Sequence, residues 1–165
     1  MKITYDKLKE AKYDSDTLDL FGKIFPNGIE WNAFSLSRFI ENFLDPEWMF
    51  ENLDLPPTDE TREEACKDPR LAFEYALHVD KGPRDDTRNA ACRSPIAGWL
   101  YAQEVDKHPR DETRTAACRD PYIAFLYAAQ VDKCQTYDTR EAVYKAVFKD
   151  VVKQDILLRS YERLK

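Results

Sequence analysis

The sequence predicts an all-α protein, a short α-solenoid of two-helix units with a helical lead-in before it and a capping helix after it. One phrase recurs three times, as DETREEACKDPRLAFEYALHVDK from Asp59, DDTRNAACRSPIAGWLYAQEVDK from Asp85 and DETRTAACRDPYIAFLYAAQVDK from Asp111. Its interval is 26 residues, marked by Thr61, Thr87, Thr113 and Thr139, each followed by arginine. A fixed period of this length belongs to repeat arrays, whose units bury their apolar faces only against neighbours. Composition agrees: 43% of residues are hydrophobic, and four glycines leave no material for a flexible linker. The chain therefore divides into a lead-in and cap (1–58), three repeats (59–136), and a degenerate fourth repeat with a C-terminal capping helix (137–165).

In the lead-in, helices are expected near 5–11, 17–24 and 33–43, with a turn at Pro26, Asn27 and Gly28. Asp45-Pro46 then opens a helix that resembles the second half of a repeat. Within each unit the first short helix is expected to start from Asp59, Asp85 or Asp111 as N-cap, with acidic residues in its opening turn, where the helix dipole favours them. Asp68-Pro69, Ser94-Pro95 and Asp120-Pro121 start the second helix, with proline at the first helical position, where its missing N–H costs nothing. That helix carries an apolar stripe at i, i+3, i+4 and i+7. Ala72, Tyr75, Ala76 and Val79 form it first, then Gly98, Tyr101, Ala102 and Val105, then Ala124, Tyr127, Ala128 and Val131. Phe73, Trp99 and Phe125 widen the stripe into a core, and small residues in it let helices approach closely. The prolines of KGPR and KHPR are expected to end two units. After Thr139 the pattern decays, and Lys149, Lys153, Arg159 and Arg163 are expected to give the last helix a polar face.

The phrase TR-x-AAC-x-DP-x-x-A-x-x-YA-x-x-VD resembles tandem two-helix repeats in uncharacterised phage and bacterial proteins. It is also similar, more coarsely, to leucine-rich-variant and HEAT-like repeats. That resemblance implies a right-handed solenoid, and its motifs supply no active-site residues to carry over. A phage origin would imply an inhibitor of a host defence system, such as an anti-CRISPR protein, acting by stoichiometric binding in the host cytoplasm.

Reactive chemistry has little to stand on. The four cysteines form no C-x-x-C pair and no zinc spacing. Cys66, Cys92 and Cys118 are expected to be reduced, buried and inert, with Cys134 in a more exposed loop. Two histidines, His78 and His108, lack companions at triad spacing, and no phosphate-binding glycine motif exists. No catalytic, metal or cofactor site is expected, and the expectation is a non-enzymatic protein. No segment has the ~18 apolar residues of a membrane span, and the N-terminus shows no signal peptide, so the expected compartment is the cytoplasm. The formal charge of −6 is concentrated as acid in the first 58 residues.

Two surfaces are candidates for binding. Stacked units would align Arg62, Arg88, Arg114 and Arg140 in a row, able to meet phosphates or an acidic strip. The row has a second reading. Asp80, Asp106 and Asp132 recur at helix C-termini, where a carboxylate is disfavoured, and arginines there would compensate them internally. The other candidate is the set of slots that differ between units. Arg70 and Glu74 become Ile96 and Leu100, then Tyr122 and Leu126. The four apolar members either form an interface or are covered by the terminal helices. A protein partner is expected first, and a nucleic acid or nucleotide bound by the arginine row is the alternative.

Overall fold

The structure is a computed structural model that describes residues 1–147 and 155–164. It is mostly helical. The lead-in runs β1 (Lys2–Ile3), α1 (Tyr5–Glu10), α2 (Ser15–Ile24), β2 (Ile29–Glu30), α3 (Ala33–Glu41) and α4 (Pro46–Asn52). The strands pair antiparallel, Lys2 opposite Glu30 and Ile3 opposite Ile29. Sequence reading gave no sign of this pairing, because two residues per strand are too few to show alternation. Gly28 makes the turn into β2 at φ 70°, and a Cβ there would stand 2.5 Å from the Ile3 carbonyl. α3 stops two residues earlier than expected. Phe43 is left-handed (φ 57°) instead of helical, and the Leu44 N–H closes the helix end on the Phe39 carbonyl at 2.9 Å.

The repeats follow as α5 (Asp59–Ala65) and α6 (Pro69–Glu74), α7 (Asp85–Ala91) and α8 (Pro95–Leu100), α9 (Asp111–Ala117) and α10 (Pro121–Tyr127). The second helices start as the sequence dictates. Asp68 accepts from the N–H of Arg70 and Leu71, and Asp120 from those of Tyr122 and Ile123, ahead of Pro69 and Pro121. The first helices do not. Their N-caps are Thr58, Arg84 and Arg110, and Asp59, Asp85 and Asp111 are the first helical residues. The reason is the arginine three positions on: as first helical residue, each aspartate reaches its own helix's arginine in an i,i+3 ion pair.

Each second helix ends in a π-helical turn, at Tyr75–Val79, Tyr101–Asp106 and Ala128–Asp132. In the first unit the Asp80 N–H bonds to the Tyr75 carbonyl at 2.9 Å, five residues back. Residues five apart in an α-helix point about 140° away from each other. A turn closed by i→i+5 bonds brings them to one side. Tyr75 and Asp80 thereby both face the first helix of their own unit, where Tyr75 meets Thr61 and Asp80 meets Arg62. The exit is a left-handed lysine, Lys81, Lys107 or Lys133, so the helix has turned before any proline acts.

Neighbouring units touch through α6 on α7, α8 on α9, and α10 on α11 (Tyr137–Val147), while α6, α8 and α10 contact one another in turn. The lead-in packs on the first unit through α3 on α5 and α4 on α6, and shares one core with Leu71, Tyr75 and Val79. Units are also fastened by side chains. Arg93 and Arg119 donate through Nη2 to the carbonyls of Cys66 and Cys92, the C-caps of the preceding unit's first helix. Tyr75, Tyr101 and Tyr127 are fully buried, each hydroxyl 2.6–2.8 Å from the Thr61, Thr87 or Thr113 hydroxyl fourteen residues earlier. In the fourth position Thr139 takes Tyr161 of α12 (Asp155–Glu162) instead, at 2.7 Å and 22 residues' separation. Arg159 and Arg163 are exposed as expected for a polar face, and Lys149 and Lys153 lie outside the described residues.

Candidate functional site

The arginine row is built into the units. Arg88 holds Asp106 with a fork, Nε to Oδ2 at 3.0 Å and Nη2 to Oδ1 at 2.7 Å, and its Nη1 reaches Asp85 at 2.6 Å. The side chains of Arg88 and Asp106 are 9% and 0% exposed. Arg62 repeats the pattern with Asp80 and Asp59, and Arg114 with Asp132 and Asp111. Each guanidinium also lies over the tyrosine ring of its unit, 5.7–5.9 Å from the centroid. The hydrogen bond to the partner aspartate, ahead of the opposing effect of burial, pushes each of these arginines above its already high pKa. Two of the three recurring guanidiniums, Arg62 and Arg88, are buried; Arg114 is partly so, and all three are committed to their own units. Arg140 is different. It is exposed, it stacks over Tyr144 at 5.5 Å, and the residue eighteen positions on is Leu158 instead of aspartate.

The slots that differ between units face outward. Ile96 and Tyr122, second residues of α8 and α10, are 55% and 59% exposed, and no described terminal helix covers them. Arg70 holds the same place on α6, exposed and paired with Glu47 of α4 at 2.6 Å. One turn further in, Leu100 and Leu126 are half-buried against cores that their own unit and the preceding one build together. Glu74, at the corresponding place, lies 3.4 Å from His78, and burial pushes its carboxyl above the usual range. The structure thus brings Arg70, Ile96 and Tyr122 to equivalent positions along one edge. Leu100 and Leu126 link that edge to the interior.

Nothing in this arrangement assembles reactive groups. Cys66, Cys92 and Cys118 are half-buried, where full burial was expected, and desolvation pushes each thiol up to about 11. At that pKa the nucleophilic thiolate is scarce near neutrality. Cys134 is exposed. His108 sets Nδ1 2.5 Å from the Asp106 carbonyl, a turn contact. Among the described residues no group of His, Cys, Asp and Glu is placed to hold a metal ion, and no helix is long and apolar enough to cross a membrane.

Comparison with protein-family models, curated proteins and solved structures finds no match to this chain. Function must be read from the geometry.

Sequence reading missed Phe43. The expected helix at 33–43 includes it, yet it is 92% exposed and left-handed. The signal that would have found it is its position two residues before Asp45-Pro46, where an N-cap and proline require the preceding helix to have ended already.

Proposed function

We propose that this chain is a non-enzymatic helical-repeat protein that binds another protein stoichiometrically through the edge carrying Arg70, Ile96 and Tyr122. The observation that carries this reading is a division of labour among positions. Residues that recur from unit to unit are used inside: threonine with tyrosine, arginine with aspartate, proline and aspartate as helix starts. The most exposed apolar side chains of the repeats, Ile96 and Tyr122, stand where the units differ. A scaffold fixed by its repeated positions and varied at its surface lowers the ordering cost of association. The buried, doubly paired guanidiniums of Arg62 and Arg88 weigh against a nucleic-acid or nucleotide site built on the arginine row.

The same reading includes stacking into a short right-handed α-solenoid, which the unit-to-unit contacts of α6, α8 and α10 support. Small-angle scattering tests it, with a radius of gyration clearly above the ~15 Å of a compact chain of this length. The narrower reading, an inhibitor of a host defence system, rests on the resemblance to phage repeats alone. The binding reading is tested by crosslinking the protein in lysate of its native host, beside an Ile96→Lys/Tyr122→Lys variant. One protein captured at fixed stoichiometry and lost with the variant supports the edge. Capture that is indifferent to the variant, or salt-sensitive retention of nucleic acid, overturns it.

A further inference from the structure

Five described non-glycine residues adopt a left-handed backbone: Lys12, Phe43, Lys81, Lys107 and Lys133. This conformation is disfavoured for any side chain with a Cβ, and most of all for a bulky one. The lysines have a compensating reason, since each leaves a helix C-terminus, where a cation is favoured. Phe43 has none. It leaves α3 in a place that glycine would fill without strain, and its side chain adds nothing to the core, because the residue is 92% exposed. Folding does not account for it.

Phe43 forms one wall of a groove of about 400 Å³ between the α3–α4 corner and α6, with Ile40, Pro46 and Leu71 as further apolar lining. The rim is acidic. Asp45 and Asp68 cap α4 and α6, each through one carboxylate oxygen, and Glu47 lines the same groove, paired with Arg70. The carboxylates crowd one another. Glu47 is pushed above its usual range by burial, eased by Arg70, and pushed further by Glu74, Asp45 and Asp68. The groove continues the edge of the proposed partner surface, since Arg70 belongs to both.

We infer that this groove docks a cationic amphipathic helix of the partner protein, its apolar face against Ile40 and Phe43 and its lysines or arginines over Asp45, Glu47 and Asp68. An amphipathic helix is held by apolar anchors set in a groove, and opposite charge at the rim steers it in and fixes its register. The inference rests on the reading of the chain as a protein-binding module and names the chemistry of its partner.

The test uses the full chain and two synthetic helical peptides of about 18 residues, one of leucine and lysine and one of leucine and glutamate, by fluorescence anisotropy. The lysine peptide is expected to bind saturably, the glutamate peptide not at all, and the affinity to fall between about 50 and about 500 mM NaCl. Two variants are safe for the fold. Phe43→Gly removes the ring and relieves the backbone, so the melting temperature stays or rises while affinity drops tenfold or more. Asp45→Asn/Asp68→Asn keeps both helix caps, since asparagine caps as well as aspartate, and removes charge, with a several-fold loss. Equal binding of the two peptides, no saturable binding of the lysine peptide, or indifference to both variants overturns the inference. If the peptide fails while lysate capture remains sensitive to Ile96→Lys/Tyr122→Lys, the edge stands and only the cationic chemistry falls. If Phe43→Gly abolishes peptide binding while capture ignores Ile96→Lys/Tyr122→Lys, the groove stands and the edge falls.

Discussion

Arg88→Gln decides whether the arginine row belongs to the fold or to a partner. Asp106 is fully buried and depends on the fork from Arg88 Nε and Nη2. Glutamine is too short to replace it, so the substitution leaves a carboxylate desolvated and unpaired. Breaking a buried pair on one side costs about 3–5 kcal/mol, a large part of the roughly 5–15 kcal/mol that holds a domain together. With a urea m-value of about 2 kcal/mol per M, the midpoint drops by roughly 1.5–2.5 M. Circular dichroism at 222 nm against urea, with both sides of the transition fitted, measures it. Removing both charges, as Arg88→Met/Asp106→Leu, recovers most of the loss, because neither partner is then stranded. Arg140→Gln is the internal control. That side chain is exposed, and its stacking on Tyr144 is worth about 0.5–1 kcal/mol. A shift below about 0.5 M for Arg88→Gln, under ~1 kcal/mol, would refute the reasoning and return the row to the list of binding surfaces.

Gly98→Ala sets two effects against each other: helix propensity gains about 1 kcal/mol, but the new Cβ would stand 2.9 Å from Ala116 Cβ on α9. Overpacking costs about 1–3 kcal/mol and wins, so the melting temperature falls, and Gly98→Ala/Ala116→Gly regains part of it. Lys107→Gly relieves a left-handed residue at φ 58°, worth about 1–2 kcal/mol. It gives up a cation at a helix C-terminus, worth about 0.3–1 kcal/mol, so a net gain of about 0.5–1 kcal/mol is expected, raising the melting temperature by a few degrees. The half-buried thiols give a pH dependence. Unfolded, they ionise near 9, and folded, only at about 11, so the unfolded chain loses its protons first. The stability they contribute is complete below pH 9 and is lost as pH rises toward 11. The urea midpoint of the native chain should drop more over that window than that of Cys66→Ala/Cys92→Ala/Cys118→Ala. At pH 8 a thiol reagent should label Cys134 quickly and the other three slowly, and equal rates would sink the burial argument.

Much of the architecture could be read from residues alone, because aspartate-proline starts and a four-residue apolar stripe leave few alternatives. The π-turns could not, since α and π bonding differ only in which carbonyl an amide chooses. Their trace was present, though. Tyr75 and Asp80, Tyr101 and Asp106, Tyr127 and Asp132 keep a spacing of five, and both members of each pair have a partner on the same preceding helix. The first-helix caps were misplaced because aspartate is both a good cap and a good first-turn residue, and only the arginine ion pair chooses between the two. Tyr161 escaped because it serves Thr139 from outside the 26-residue period. The outward slots were visible as positions of difference. That Ile96 is open while Leu100 is half covered depends on how units approach each other, which no single unit encodes.

The links from Arg93 to Cys66 and from Arg119 to Cys92 give the array a direction. Every such clasp joins a donor in the later unit to a carbonyl in the earlier one, so the middle unit accepts on one side what it gives on the other. A duplicate of residues 84–109 spliced in after Pro109 would therefore meet the same fittings at both seams. The protein could be lengthened by whole units without designing a new joint, and shortened the same way, so long as the module ending in Tyr161 still closes the far end.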